Sequence, residues 1–220
     1  MQFALKELTK VFEEKHNIET ELIIASSGKH TAQIIEGAPF DLFLSADLSY
    51  PETVYKSGLS SLPPKIYARG QLVLWSGQKE KELDINFLLS DDVDHIAVAN
   101  PNNAPYGKAT QECLVNLELY SKVKEKLVYG ENISQVNQFV STGAAQLGFT
   151  AKSVVLAPAI RFKGSWIDVA TQSYSPVNQG IVLLDKRKSY NVEALNFYNF
   201  LFSDQAQQIL KDFGYLGIER

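Results

Sequence analysis

Apolar residues along this chain alternate between helix-like and strand-like spacing. Ala4, Leu5, Leu8, Val11 and Phe12 recur at the three- and four-residue intervals of one helical face, which predicts a helix beginning almost at residue 1. Residues 18–25, with Ile23 and Ile24 among them, predict a strand. Residues 29–36 predict a helix closed by Gly37 at the position of a left-handed cap. The run Asp41-Leu42-Phe43-Leu44-Ser45, bounded by Pro39 and Asp47, predicts a buried strand, and residues 48–56 a helix stopped by Gly58. After a Pro63-Pro64 loop come a strand at 71–75, a polar charge-rich stretch at 77–84, and a strand at 95–99 that ends in Asn100-Pro101-Asn102-Asn103. Residues 106–126 predict one long helix with Cys113, Leu114, Leu117 and Val123 on its apolar face. A helix at 133–142 ending at Gly143, strands at 147–151 and 181–184, and one or two helices over 192–213 complete the pattern. Strands alternating with helices predict an α/β fold with largely parallel sheets.

Composition narrows the function more than the fold. A length of 220 residues allows one large domain or two modest lobes. The formal charge of −4 argues against a nucleic-acid partner, whose binders present a basic stripe. The apolar runs at 72–75 and 181–184 are strand-sized and too short to span a bilayer. The single cysteine, Cys113, excludes an intrachain disulfide and a cysteine-based zinc site. No basic, apolar leader follows Met1, which fits either a cytosolic protein or a mature chain whose start has been removed.

Catalytic patterns are few. Ser26-Ser27-Gly28-Lys29 invites comparison with a phosphate-binding P-loop, but Ile23 stands where the first glycine belongs and His30 where a magnesium-binding hydroxyl belongs. Cys113 falls on the apolar face of a helical segment and reads as a buried structural thiol. His16, His30 and His95 have no metal-ligand spacing. Asp91, Asp92 and Asp94 read as a solvated loop before a strand. Asn132-Ile133-Ser134 matches a glycosylation sequon but lies at a helix start.

Three segments share a different design, in which a strand runs into a short polar turn and a helix begins there. The first is Ile24-Ala25-Ser26-Ser27-Gly28, with Ser27 as the expected N-cap. The second spans residues 100–107, where Pro105 suits a first helical turn. The third is Gly130-Glu131-Asn132-Ile133, where Asn132 and Gln135 resemble a capping box. Helix starts carry amides without intrahelical acceptors and a partial positive charge, so several of them converging would form an anion site from neutral donors. Each cap alone reads as structural rather than functional, since every helix needs one, and convergence does not follow from spacing.

At these residues the sequence resembles the molybdate-binding proteins of ABC transporters. The resemblance runs through Ala25-Ser26-Ser27-Gly28, Gln33-Ile34, and Gly37-Ala38-Pro39-Phe40-Asp41-Leu42-Phe43-Leu44-Ser45-Ala46-Asp47. It continues through Asn100-Pro101, Pro105-Tyr106-Gly107, Gly130-Glu131-Asn132-Ile133, Gln138-Phe139-Val140, Leu147-Gly148-Phe149 and Phe213-Gly214-Tyr215, covering essentially the whole chain. It implies a two-lobed type II periplasmic-binding-protein fold with hinge crossover strands: lobe 1 from residues 1–75 and 178–220, lobe 2 from 76–177, and the oxyanion held between them. It implies that Ser27 donates its hydroxyl and amide, that Tyr106 and Ile133 donate backbone amides, and that Ser26 and Gly107 complete the oxyanion-binding set. No catalytic residue and no cofactor are implied; the ligand is molybdate or tungstate, and the metal enters as the oxyanion rather than through cation ligands. The partner would be a membrane permease, and the protein a periplasmic or extracytoplasmic monomer.

Two departures accompany the resemblance. Family members begin with a strand that supplies a further hydroxyl or amide ligand, and here Met1-Gln2-Phe3-Ala4-Leu5 aligns with the helix after it, so that strand and ligand are expected to precede Met1. Some members also place a ligand tyrosine where this chain has Ala151, with the Tyr106 side chain as the candidate to compensate. Two other readings stay open at this level: the effector domain of a transcription regulator, although no helix-turn-helix precedes the fold, and an enzyme acting on a phosphorylated substrate at the same helix starts, although no nucleophile–base pair lies near them in sequence and the reading would need His30 or Asp47 within hydrogen-bond reach of the anion.

Overall fold

The computed structural model describes residues 1–78, 82–157, 164–185 and 190–218. Residues 79–81 of the polar stretch lie outside this set. In chain order the elements are α1 (Gln2–His16), α2 (Ser27–Ile35), β1 (Leu42–Ser45), α3 (Ser49–Lys56), β2 (Lys65–Gly70) and β3 (Leu72–Ser76). They continue with β4 (Ile96–Ala99), α4 (Pro105–Asn116), α5 (Tyr120–Val123), β5 (Leu127–Gly130), α6 (Ile133–Ser141), β6 (Leu147–Ala151) and α7 (Lys152–Val155). The last are β7 (Ser165–Asp168), β8 (Val177–Leu183), α8 (Val192–Phe200) and α9 (Asp204–Asp212). Gly37, Gly58 and Gly143 follow α2, α3 and α6 with φ of 93°, 75° and 75°, the left-handed backbone that ends a helix and that glycine adopts without strain.

The chain forms two compact units, Met1–Arg69 with Asn178–Arg220, and Gly70–Val177. In the first, the sheet order is β1-β8-β2, and β1 runs antiparallel to β8 with Ser45 opposite Gly180. The period-two alternation of β8 covers both faces of this sheet. Ile181 and Leu183 join Leu5, Leu8 and Phe12 of α1 and Phe197, Phe200 and Leu210 of the last two helices. Val182 and Leu184 join Ile34, Phe43 and Val54 on the other face.

The second unit has the sheet order β5-β4-β6-β3-β7. On one face Leu72, Leu74, Ile96 and Val98 pack with Tyr106, Cys113 and Leu114 of α4. On the other, Trp75, Ala97 and Ala99 pack with Val136 and Val140 of α6. Cys113 is fully buried, and burial raises its thiol pKa despite a hydrogen bond to Ser173, as an inert structural thiol requires.

Four expectations need correction. The sheets are mixed rather than largely parallel: β4 is parallel to β5 and β6, whereas β3 is antiparallel to β6 and β7. The parallel part is built by the strand–helix–strand crossovers β4-α4-β5 and β5-α6-β6, the kind of connection that parallel pairing requires. Strand 72–76, expected in the first lobe, pairs in the second sheet, so the chain crosses at Arg69/Gly70. Residues 18–25 form no strand, because a strand needs a ladder partner. Instead Thr20 bonds Glu13 Oε1 through its amide at 2.7 Å and its hydroxyl at 2.5 Å, and Ile23 and Ile24 are about half exposed at 48% and 49%.

The long helix expected over 106–126 is broken after Asn116. Glu118 takes φ of 55°, its amide bonds the Val115 carbonyl, and the Leu119 amide bonds the Leu114 carbonyl at 2.8 Å. This is a Schellman ending built without glycine. A short α5 and a 3-10 turn at Lys124–Lys126 then lead into β5.

Candidate functional site

In the first unit the helix start at α2 begins one residue earlier than expected. Ser26, not Ser27, is the N-cap: its backbone is extended, its carbonyl accepts the His30 amide at 3.1 Å, and its Oγ accepts the Lys29 amide at 3.4 Å. Ser27 is therefore the first helical residue. The Ser27 and Gly28 amides meet no acceptor among the described residues, because the single cap spends itself on the third amide. Ser27 Oγ faces the end of β1, where it accepts the Ser45 hydroxyl at 3.0 Å and the Ala46 amide at 3.4 Å.

In the second unit the other two helix starts come together at one end of the sheet. Strands β4 and β5 are parallel neighbours with Ala99 opposite Gly130, so α4 and α6 both begin beyond the carboxyl ends of adjacent strands. The Asn100 amide bonds the Gly130 carbonyl at 2.8 Å and ties the two turns together. In open α/β sheets this is where ligands bind. Pro105, Tyr106 and Gly107 open α4 in that order. A Cβ on Gly107 would meet the Ala99 carbonyl oxygen at 2.1 Å, so only glycine lets this turn lie against the strand end. The Tyr106 ring is 6% exposed and belongs to the apolar core, so it is not displayed as a replacement for a ligand tyrosine. Ala151, at the end of β6, is 4% exposed and brings no hydroxyl.

The third helix start shows which amide is left over. Asn132 Oδ1 accepts the Ser134 amide at 3.0 Å and the Gln135 amide at 3.1 Å. Gln135 Oε1 accepts the Glu131 amide at 2.7 Å, a reach one residue beyond the expected capping box. The Val136 amide bonds the Asn132 carbonyl. Ile133 is thus the one first-turn amide of α6 without an acceptor among the described residues.

Charge around these starts is consistent with an anion. The first turns of α2, α4 and α6 contain no acidic residue, a property they share with α1, α5 and α7, whereas the first turns of α3, α8 and α9 contain Glu52, Glu193 and Asp204. Among the described residues no group of His, Cys, Asp and Glu could hold a metal cation. His30 is buried, with Nδ1 at 3.2 Å from Gln33 Oε1 and its ring against the edges of Phe40 and Phe43. Asp47 Oδ1 is engaged by the Ser49 hydroxyl at 2.9 Å and the Tyr50 amide at 3.2 Å, at the start of α3. Neither forms a nucleophile–base pair with Ser27.

Sequence reasoning overlooked Ser45 and Gln179. Gln179 Nε2 donates to the Ala46 carbonyl at 3.1 Å, and the two side chains are 2% and 1% exposed. The available signal was Ser45 itself, a polar residue on the same inward phase of β1 as Phe43.

Comparison with known proteins gives a consistent result. Residues 1–216 match the family model described as bacterial extracellular solute-binding protein. The molybdate-binding protein ModA of Rhodobacter capsulatus is 37% identical over 213 residues, 96% of this chain and 82% of that one. ModA of Azotobacter vinelandii is 36% identical over 96% of this chain and 84% of its own. Among solved structures, the Azotobacter vinelandii periplasmic molybdate-binding protein superposes with a TM-score of 0.86 at 31% identity, covering 98% of this chain and 95% of that one.

Proposed function

The chain belongs to the bacterial extracellular solute-binding proteins, and from that premise we propose that it is the molybdate-binding component of an ABC transporter. It is a binding protein rather than an enzyme, takes an oxyanion as ligand without a cofactor, and delivers it to a membrane permease. It acts outside the cytoplasm. Its fold is the two-lobed type II binding-protein fold, with the crossovers at Arg69/Gly70 and Val177/Asn178. Among the described residues no helix is long and apolar enough to cross a membrane.

At finer grain, the reading places Ser27, through hydroxyl and amide, and the amides of Tyr106 and Ile133 as anion donors, with Ser26 and Gly107 shaping the turns that present them. The protein works as a periplasmic monomer, with no nucleic-acid partner. The observation that carries this is that the Ser27, Gly28 and Ile133 amides, at the starts of α2 and α6, meet no acceptor among the described residues. Molybdate is fully deprotonated near neutral pH, so it offers only acceptors, and a donor-only site suits it. A hydrogen bond to a charged group contributes about 1.5–3 kcal/mol, enough for a few such donors to hold a dianion without a counter-charge. The smaller sulfate would satisfy fewer of them at once.

Isothermal titration with molybdate, tungstate, sulfate and phosphate tests the reading. Molybdate and tungstate should bind, with sulfate and phosphate far weaker. Ser27→Ala should weaken molybdate by roughly ten- to a hundred-fold. Equal affinity for all four anions, or no binding of molybdate, overturns it.

A further inference from the structure

A buried hydroxyl must give its proton to an acceptor or lose the hydrogen bond it had in water. Ser45 is 2% exposed at the end of β1. Its Oγ accepts the Asp47 amide at 3.3 Å, and the acceptor for its proton among the described residues is Ser27 Oγ at 3.0 Å. Ser27 Oγ receives a second donor, the Ala46 amide at 3.4 Å. The opposite arrangement, Ser27 donating to Ser45, would leave the buried Ser45 proton with nowhere to go.

The turn that delivers these two donors is held against β8. Gln179 Nε2 bonds the Ala46 carbonyl at 3.1 Å. A Cβ on Gly180 would come 2.8 Å from the Asp47 carbonyl oxygen, so the turn lies on a bare backbone and cannot be displaced cheaply by a side chain. Ser45 and Gly180 are also register partners in the ladder. The donors therefore have little freedom to leave Ser27.

A hydroxyl oxygen has two acceptor sites and one proton. With both acceptor sites of Ser27 occupied from within the protein, the group has only its proton left to offer. We propose that Ser45 is a positioning residue that makes Ser27 an obligate hydrogen-bond donor, and so biases the site toward fully deprotonated oxyanions over anions that carry a proton. A protonated anion needs one acceptor; Ser27 would have to break its bond from Ser45 or Ala46 to provide it. This inference rests on Ser27 as an anion ligand, as proposed above.

The test is a double-mutant cycle read by titration with molybdate and with phosphate near neutral pH. Ser45→Ala should weaken molybdate by about ten-fold, and phosphate less, so that the molybdate-to-phosphate preference falls. In a Ser27→Ala background, Ser45→Ala should change neither affinity, because the group it positions is gone. Ser45→Thr keeps the hydroxyl and should hold molybdate affinity to within about two-fold of the unaltered protein, which also guards against a variant that merely misfolds. An effect of Ser45→Ala that persists in the Ser27→Ala background, or an unchanged preference, shows that Ser45 only supports the strand and overturns the proposal. A protein that fails to bind molybdate before any substitution overturns the ligand reading instead, and the two failures are distinguishable.

Discussion

Gly107 lies so close to Ala99 that a Cβ on it would sit 2.1 Å from the Ala99 carbonyl oxygen and 2.7 Å from its carbonyl carbon. The neighbour is backbone at the end of a central strand, so it cannot swing aside as a side chain would. The third residue of α4 thus sets how near the first turn of the helix approaches the end of β4. Gly107→Ala should destabilise the second unit by about 1–3 kcal/mol through overpacking. It should weaken molybdate as well, because the Tyr106 amide moves with the turn. A urea midpoint equal to that of the unaltered protein would show that the turn relaxes freely, contrary to this geometry.

Asn132 holds two first-turn amides of α6 with one oxygen, at 3.0 and 3.1 Å. Asn132→Ala should cost about 1 kcal/mol, the usual value of an N-cap, and lower the melting temperature. Asn132→Asp keeps the acceptor and should preserve stability while weakening molybdate, since it sets a negative charge one residue before the Ile133 amide. Thermal melts and titrations on the two variants separate these effects. Equal anion affinity in Asn132→Asp and the unaltered protein would remove Ile133 from the donor set.

What could be read from the sequence divides along physical lines. The starts of α4 and α6 were visible because Pro105, Asn132 and Gln135 act on atoms within four residues of themselves. The strand expected at 18–25 was not there because strand formation depends on a distant partner, which no local pattern reports. The break at Glu118 was hidden because a left-handed cap normally announces itself by glycine. Ser45 carried no assignment because its contact with Ser27 joins residues 18 apart. The cap of α2 was misplaced by one position because Ser26 and Ser27 are chemically identical, and only the extended backbone of Ser26 separates them.

Glu13 links α1 to the segment after it. Its Oε1 accepts the Thr20 hydroxyl and the Thr20 amide, and these two bonds, the hydroxyl foremost, hold its carboxyl below the usual range. An unfolded Glu titrates near pH 4.3, at roughly its model-peptide value. The native group binds its proton less readily than the unfolded one, so its contribution is complete above the unfolded pKa and is lost as pH falls through the native one. Glu13→Gln should therefore lower the neutral plateau and flatten the acid limb of the stability profile, so that the two proteins converge as pH falls through the native value. Urea midpoints collected from neutral pH downward check this, and an acid limb of unaltered steepness would show that other carboxylates account for it.

Tyr67 is fully buried in the first unit's core, and its hydroxyl has no hydrogen-bond partner among the described residues. Burial, with a smaller contribution from nearby Tyr215, pushes its phenol well above the ordinary value. A buried hydroxyl that makes no bond carries a desolvation cost with no return. Tyr67→Phe should consequently be neutral or stabilising by up to about 1 kcal/mol near neutral pH. The alkaline behaviour follows from the same fact. An unfolded tyrosine ionises near pH 10, whereas the native one resists, so stability is intact below that pH and declines as pH rises toward the native pKa. The Phe variant has no such proton to lose, and its urea midpoint should fall less steeply above about pH 10. A variant destabilised by more than about 1 kcal/mol at neutral pH would show instead that the hydroxyl is bonded in solution.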